Sequence, residues 1–309
     1  MSYNHWNSGI GGDDGSGDKV TNFEIAGGKL QVLTTYADNC TAIGAGGNGA
    51  CTMTISGGDI TAHCNGTGTA IGGGIGWFSG GGTSNITISG GNIYAKNHGQ
   101  IYVNGSTITT KDKTYDKVVG GVAIGSGSSF EAAGSEGKVT ITGGYIEAYG
   151  TFGNGIGGGN SSNSTGGKAT ISISGGTVIA SSIGGGDSKS GTGGSANVEV
   201  SGTAHITLEK GVGGGSSLSG NGGAATITVR NGTLIANGSI GGGEGGNTGN
   251  GGDATVNIYG GNLTAASIGG GTGSVGGHGG AAIVEVTDGF IETGSIGGGK
   301  TNNPSGNLG

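Results

Sequence analysis

Proline, arginine and long apolar runs are almost missing from this sequence. Its 309 residues include one proline, and Arg230 is its only arginine. A nucleic-acid site needs a stripe of basic residues, and the formal net charge is −7, so nucleic acid is not an expected partner. No apolar run approaches the roughly 20 residues of a transmembrane helix, so no membrane span is predicted.

Cysteine is also scarce, and an odd count of three is not a disulfide framework. Cys51 occupies the repeat position that Ala169 holds in a later repeat, so we expect a small buried side chain. A bridge between Cys40 and Cys64 across adjacent coils stays open. A zinc site at Cys64 and its neighbour His63 would lack a fourth ligand.

Glycine is abundant instead, with 85 residues, and much of it belongs to a recurring motif whose full form is Ile-Gly-Gly-Gly. The motif and its weaker variants begin at Ile10, Ile43, Ile71, Ile124, Ile156, Ile183, Val212, Ile240, Ile268 and Ile296. Successive starts are 33, 28, 53, 32, 27, 29, 28, 28 and 28 residues apart. A period of this length is typical of a solenoid, and the absence of glycine at every third position excludes collagen.

Each repeat contains two short strands with period-two alternation. In the repeat that begins at Ile240, Val256 and Ile258 alternate with polar residues, a Gly-Gly turn follows, and Leu263 belongs to the second strand. The apolar pairs predicted to face inward on the first strands are Phe23/Ile25, Met53/Ile55, Ile86/Ile88, Val139/Ile141, Ile171/Ile173, Val198/Val200, Ile227/Val229, Val256/Ile258 and Val284/Val286.

The repeat predicts an all-β fold. Strands that recur with the same polarity must be parallel neighbours, stacked roughly 4.8 Å apart. The leading isoleucines add a third inward column, so each winding has three short faces. We therefore expect a right-handed parallel β-helix (β-solenoid) of about nine to ten coils of ~28 residues, forming one domain over residues 1–309.

Two intervals break the period. The interval from Ile71 to Ile124 is 53 residues, and the surplus over one repeat falls near residues 97–123. This insertion is either an irregular extra winding or a hairpin that projects outward. The coil after Ile124 is also extended, from Tyr149 to Asn154.

The repeat resembles a known kind of module. After Ile-Gly-Gly-Gly, residues 166–180 have the sequence Gly-Gly-Lys-Ala-Thr-Ile-Ser-Ile-Ser-Gly-Gly-Thr-Val-Ile-Ala, which is similar to the glycine-rich right-handed β-helix modules of bacterial surface proteins. The resemblance covers Ile10 to Gly299. Those modules are related in fold to pectate lyases and are often carbohydrate-binding or adhesive, so it implies a secreted or cell-surface, polysaccharide-facing protein. The N-terminus shows no signal peptide, so we expect the leader and anchor outside this chain.

Acidic residues give no clear catalytic pattern. Glu199 and Glu285 point outward but are three coils, or about 14 Å, apart, which is too far for a glycosidase pair. Glu131 and Glu136 share one loop and could meet there, but the favoured interpretation is that this loop is simply solvated. Catalysis of the pectate-lyase kind would need clustered acids for calcium and a basic residue as proton acceptor.

No cofactor is predicted, with calcium as the weak alternative. The segments Gly11 to Asp14 and Gly251 to Asp253 resemble calcium-binding turns, but the full nonapeptide pattern is missing. The five histidines are scattered along the sequence and show no pair with metal-ligand spacing.

Aromatic residues indicate the ligand site. They make up 5% of the chain and are concentrated in residues 77–152, where the period fails. The predicted ligand-binding residues are Trp77, Phe78, Tyr94, Tyr102, Tyr115, Tyr149 and Phe152. Exposed aromatics on irregular loops favour a recognition patch. The alternative is that they pack against the insertion as a local second core.

The sequence therefore predicts a non-enzymatic surface adhesin or carbohydrate-binding solenoid whose partner is a polysaccharide or host glycan. The alternatives are a polysaccharide-degrading lyase or glycoside hydrolase of the same fold, a stalk or filament subunit joined end to end through uncapped coils, and a phage tail adhesin. Outward threonines such as Thr54, Thr87 and Thr140 also suggest an ice-binding face, which Glu199 and Glu285 interrupt.

Overall fold

The chain winds into a solenoid of parallel strands. The computed structural model describes residues 8–12, 19–34, 41–103, 106–108 and 117–301. Its two large sheets have nine and 17 strands, and these build about nine turns. The predicted all-β parallel β-solenoid is confirmed. Among the described residues, no helix is long and apolar enough to cross a membrane.

Three faces make up each turn. The first face is the nine-stranded sheet, with strands Val20–Ile25, Cys51–Ile55, Ser84–Ile88, Gly137–Ile141, Ala169–Ile173, Ala196–Val200, Ala225–Val229, Ala254–Ile258 and Ala282–Val286. The second face follows the Gly-rich turn, with strands Lys29–Thr34, Asp59–Cys64, Asn92–Asn97, Tyr145–Gly150, Thr177–Ala180, His205–Leu208, Thr233–Gly241, Asn262–Gly269 and Phe290–Thr293.

The third face consists of the motif residues that follow each second-face strand. Its short strands are Ser8–Gly11, Thr41–Gly44, Ile71–Gly72, Ile124–Gly125, Ile156–Gly157, Ile183–Gly184, Val212–Gly213 and Ile296–Gly297. In two turns the second and third faces share one long strand, Thr233–Gly241 and Asn262–Gly269, so both faces belong to the 17-stranded sheet.

The interior is filled by the predicted apolar columns. On the first face Val198 pairs with Ile227, and Ile227 pairs with Val256. All three are fully buried, because alternate residues of a strand point to the same side. Cys51 is buried as expected, and burial raises the pKa of its thiol to about 12. Cys40 lies outside the described residues, so its bridge to Cys64 stays a prediction.

Close approach between turns explains the glycine column on the third face. Gly241 has φ +148, and a Cβ there would overlap the carbonyl oxygen of Gly269 in the next turn. Glycine is therefore needed at this position both for its backbone conformation and for space.

The surplus residues near 97–123 build a small antiparallel sheet instead of an extra winding. Ile71 pairs directly with Ile124, so the turns on either side stack on each other. The sheet contains the strands Ser106–Ile108, Gln100–Val103 and Lys117–Val119, in that order. Of the two alternatives, the extra winding is wrong. The insertion leaves the coil at the corner between the second and third faces.

The last described turn has exposed apolar residues. Ile296 is 53% exposed, whereas its register partner Ile268 in the preceding turn is buried. Ile283 and Phe290 are also exposed. Such exposure of apolar side chains is expected on the side of a solenoid turn where no further described turn stacks on it.

Candidate functional site

The predicted aromatic residues lie on different sides of the coil. Trp77 and Phe78 are in the loop between the third and first faces. Tyr94 and Tyr149 are on the second face, in strands that pair directly. The structure therefore divides the predicted patch into separate groups.

Trp77 belongs to a small packed cluster. Its ring lies 4.2 Å from the ring of Phe130, which is fully buried together with Ile75. Phe78 is 83% exposed, and its ring centre is 6.4 Å from that of Trp77. Sequence reasoning missed Phe130, although a signal existed: Trp77 and Phe130 each stand six residues after the leading isoleucine of their repeats.

Phe152 packs at the base of the insertion. A Cβ at Gly99 would overlap the ring of Phe152, and a Cβ at Gly120 would overlap its Cβ and backbone, so Phe152 packs against both glycines. The Asn160 side-chain amide donates a hydrogen bond to the Phe152 carbonyl oxygen at 3.0 Å. For Phe152 these contacts correspond to the alternative prediction, in which the aromatic residue packs against the insertion instead of binding a ligand. Tyr115 and the side chain of Tyr102 lie outside the described residues, so their roles stay predictions.

The second face carries a group of outward tyrosines, here called the tyrosine platform: Tyr94, Tyr145 and Tyr149. In each strand the alternate residues, such as Ile93 and Ala148, are buried in the core, which forces the tyrosines outward. The rings of Tyr94 and Tyr149 are 5.9 Å apart and inclined at 52°. Both side chains are half-buried, and Tyr145 is 41% exposed.

Glu147 lies between the two tyrosines of its strand and accepts hydrogen bonds from them. The Tyr149 hydroxyl donates to Glu147 Oε2 at 3.2 Å. Desolvation, followed by the negative charge of Glu147, raises the pKa of Tyr149 to about 12. The pKa of Tyr145 is raised chiefly by its hydrogen bond to Glu147. Both phenols therefore stay protonated at neutral pH and keep a hydroxyl that can donate.

An open groove runs beside the platform along the glycine corner between the first and second faces. It has a volume of about 750 Å³ and is lined by Tyr145, Asn92, Asp59 and the corner glycines. The Asn92 side-chain amide donates to Asp59 Oδ1 at 2.9 Å. The groove thus places a carboxylate and an amide next to aromatic surface.

Sequence reasoning missed Tyr145 and Glu147 as neighbours of Tyr94. The signal was their place in the repeat, because Glu147 pairs with Tyr94 and Tyr145 with Asn92. The 53-residue interval hid this register, since the insertion separates the two strands in the sequence.

A second concave site lies where the second face turns into the third. This corner cleft has a volume of about 410 Å³, and its lining includes Asn154, Asp187, Lys210 and Glu244. Asp187 Oδ1 accepts a hydrogen bond from the Ser216 N–H at 2.7 Å.

The side chain of Asp187 is half-buried at the wall of this cleft, and the protein packed around it desolvates its carboxyl group. Desolvation raises its pKa, Glu244 adds to that effect, and the Ser216 hydrogen bond and Lys210 oppose it. Asp187 and Glu244 are two turns apart, or about 9.6 Å along the stack. Both stand four residues after a leading isoleucine, a signal that sequence reasoning did not use.

Other acidic residues are engaged in contacts between turns. Glu199 accepts from Arg230 at 3.0 Å, and Glu136 lies 3.5 Å from Lys168, both at exposed positions. Asp253 accepts a hydrogen bond from the Ala281 N–H. Within the described ranges, no group of three or more His, Cys, Asp and Glu is placed to hold a metal ion. Asp13 and Asp14 lie outside those ranges, so the prediction of no cofactor, with calcium as its weak alternative, stays untested.

No family model matches this sequence, and no curated protein or solved structure shows detectable similarity to it. The β-solenoid is therefore established by the geometry described above, and the resemblance to adhesive surface modules stays a prediction.

Proposed function

We propose that the protein binds a carbohydrate polymer without cleaving it, and that the tyrosine platform takes the sugar rings. The observation that carries this is the pair Tyr94 and Tyr149, whose half-exposed rings lie 5.9 Å apart on neighbouring turns. A sugar ring has an apolar C–H face that stacks on an aromatic ring and hydroxyls at its edge. Glu147 is next to the rings to accept from such hydroxyls.

The regularity of the solenoid supports a polymeric ligand. Successive turns rise by about 4.8 Å, close to the length of one sugar unit in a chain. The groove past Asp59, Asn92 and Tyr145 crosses several turns in the same direction and offers polar partners along its length. In this proposal the protein is secreted or on the cell surface and acts as an adhesin towards a polysaccharide or host glycan.

Removal of two of the three platform rings tests the proposal. The double substitution Tyr94→Ala and Tyr149→Ala should weaken binding on a glycan array at least about tenfold, since a buried interface tyrosine contributes about 2 kcal/mol. The melting temperature should change little, because both rings project from the core. Phe78→Ala is the matched control: it removes an aromatic ring that is 83% exposed in another part of the coil.

Two results would count against the platform. One is unchanged glycan binding by the double variant when its circular dichroism is normal. The other is an equal loss of binding in Phe78→Ala, which would move the site to the loop that holds Trp77.

A polysaccharide-cleaving activity is the second candidate, favoured by the corner cleft. Asp187 with a raised pKa is suited to donate a proton, and Glu244 to activate water. The two residues are two turns apart, about 9.6 Å along the stack, which is just beyond the roughly 6.5–9.5 Å between the carboxyl groups of inverting glycosidases. Release of new reducing ends from pectins, alginates or mucin glycans, abolished in Glu244→Gln, would favour this activity over binding alone.

A further inference from the structure

Two histidines that are far apart in the sequence meet on the second face. His63 points outward from the strand Asp59–Cys64, and His98 directly follows the strand Asn92–Asn97 of the next turn. The distance between His63 Nδ1 and His98 Nε2 is 3.1 Å, and the rings are inclined by 23°. The expectation that the histidines form no pair is therefore wrong for His63 and His98. Their spacing in the sequence gives no sign of the pair, because 35 residues separate two side chains that are neighbours in space.

The register of the stack holds the two rings together. His63 pairs with Lys96, and His98 lies two residues further on, so both side chains leave the same side of the sheet. The His98 N–H also donates to the Cys64 carbonyl oxygen at 2.8 Å, which fixes the backbone at the end of the strand. Tyr94 packs against His63 with ring centres 5.3 Å apart and limits its movement on one side.

Both imidazoles have unprotonated nitrogens at neutral pH. Desolvation, followed by the positive charge of Lys96, lowers the pKa of His63 and of His98, and His63 lowers the pKa of His98 further. Since only one N–H can lie between the two facing nitrogens, at least one of these nitrogens presents a lone pair.

The separation of the two nitrogens also suits a shared metal ion. Imidazole nitrogens bind zinc at about 2.0–2.1 Å. Two such nitrogens 3.1 Å apart subtend an angle of about 98° at the metal, between square-planar and tetrahedral values. The ring centres are 5.4 Å apart, so the facing nitrogens lie nearly on the line between them, as in an N–H···N hydrogen bond. A metal lies off that line, so each half-exposed ring must tilt by about 40° to direct its lone pair at it.

We propose that His63 and His98 form a two-histidine binding site for a divalent transition metal, with Cu(II) bound more tightly than Ni(II) or Zn(II). Imidazole suits these ions, and their usual affinity order places Cu(II) first. Within the described ranges no third His, Cys, Asp or Glu joins the pair, so water would complete the coordination. The metal replaces the N–H···N hydrogen bond of the metal-free protein. The proton between the rings moves, by exchange with water, to the other nitrogen of its own imidazole, so both ligands stay neutral and no net proton is released.

Lys96 gives the proposal a distinctive consequence. Lys96 pairs in register with His63 and lies two residues before His98 on the same face of the sheet, so its ammonium group repels a bound cation. Lys96→Met, which keeps the length of the side chain and removes its charge, should therefore tighten Cu(II) binding. A role of the two histidines in packing alone would give no such gain.

Calorimetric titration of the full chain with Cu(II), Ni(II) and Zn(II) tests the site. His63→Ala and His98→Ala should each weaken Cu(II) binding by at least about 10- to 100-fold, the cost of losing even an outer partner of a metal ligand. His205→Ala is the matched control, an exposed histidine on the same face several turns away, and should leave the affinity unchanged. Electron paramagnetic resonance of the Cu(II) complex should show coupling to two imidazole nitrogens.

Equal Cu(II) affinity in the wild type and in His63→Ala would overturn the proposal, and so would a loss in His205→Ala as large as in His98→Ala. Weaker Cu(II) binding in Lys96→Met would also contradict it. Melting temperatures without metal separate loss of a ligand from loss of the fold. The outcome is independent of the glycan experiment, which changes Tyr94 and Tyr149 and keeps both histidines.

Discussion

At the scale of single residues, the fourth position after the leading isoleucine bridges neighbouring turns in the repeats of Asn160 and Asp187. Asn160 Oδ1 accepts from the Asp187 N–H at 2.8 Å, and Asp187 Oδ1 accepts from the Ser216 N–H at 2.7 Å. An amide and a carboxylate thus perform the same structural task one turn apart. They differ in charge: the amide of Asn160 is neutral, whereas the carboxylate of Asp187 is charged and is desolvated in the corner cleft.

This difference predicts the effect of Asp187→Asn on stability. The folded-state pKa of Asp187 is raised above the ordinary value of 3.8, so the folded chain holds this proton more tightly than the unfolded chain does. The stability it contributes is fully present below pH 3.8 and is lost as the pH rises through the folded-state pKa. Asp187→Asn should therefore melt at a higher temperature than the wild type at pH 7, and at the same temperature below pH 3.8.

Thermal unfolding followed by circular dichroism between pH 3 and pH 8 is the measurement. Asp253→Asn is the control, since this exposed carboxylate also accepts a backbone N–H from the next turn. A lower melting temperature of Asp187→Asn at pH 7 would show that the charge of Asp187 stabilises the fold.

At the scale of the strand, the third face depends on glycine for contact between turns. In every described turn but the last, the third-face strand ends in a glycine whose backbone approaches the glycine of the next turn closely, as at Gly213 and Gly241. A side chain here would push two turns apart, and the 17-stranded sheet would lose its register at that level. The last such residue, Gly297, has φ +154 but no atom within 4 Å of the place a Cβ would take.

A comparison of Gly241 with Gly297 therefore distinguishes the conformational requirement for glycine from the steric requirement. Both have positive φ, +148 and +154, so alanine is strained at either position. At Gly241 the Cβ would in addition overlap the carbonyl oxygen of Gly269. Gly241→Ala should cost at least about 1–3 kcal/mol more unfolding free energy than Gly297→Ala, measured by urea denaturation of the two variants. Equal losses would mean that backbone conformation alone requires the glycine.

At the scale of the whole molecule, each turn is supported by the turns above and below it. The stability of such a stack is close to a sum over neighbouring turns, so a turn with one neighbour opens more readily than one with two. The last described turn is in this situation: Ile283 and Phe290 are exposed, and the outer edge of its strands has no described partner. Exposed strand edges also provide a template for association with another chain.

Hydrogen exchange should report this gradient. Amides of the strand Ala254–Ile258 should exchange much more slowly than those of Ala282–Val286, because the first strand has a neighbour on both sides. Mass spectrometry at several protein concentrations measures the difference. Protection of Ala282–Val286 that increases with concentration would instead indicate end-to-end stacking, as in the stalk alternative. Equal protection at all concentrations would contradict independent opening of the last turn.

The amino-acid sequence alone determined the repeating unit and the core of this protein. The glycine motifs recur at a near-constant spacing, and aliphatic residues alternate between them. These residues are buried when each apolar position stacks on the equivalent position one repeat later. For this reason the sequence predicts the register of the inward pairs from Met53 to Val256, and the structure confirms it.

Only the tertiary structure decided which outward side chains become neighbours. The insertion hides the pairing of Tyr94 with Glu147, and the meeting of His63 with His98 depends on the turn from one coil to the next. The single aromatic patch expected from the sequence was divided because Trp77 and Tyr94 occupy different sides of the coil. Inward positions repeat and fix each other through packing, whereas outward positions vary from turn to turn and acquire neighbours only when the chain has wound.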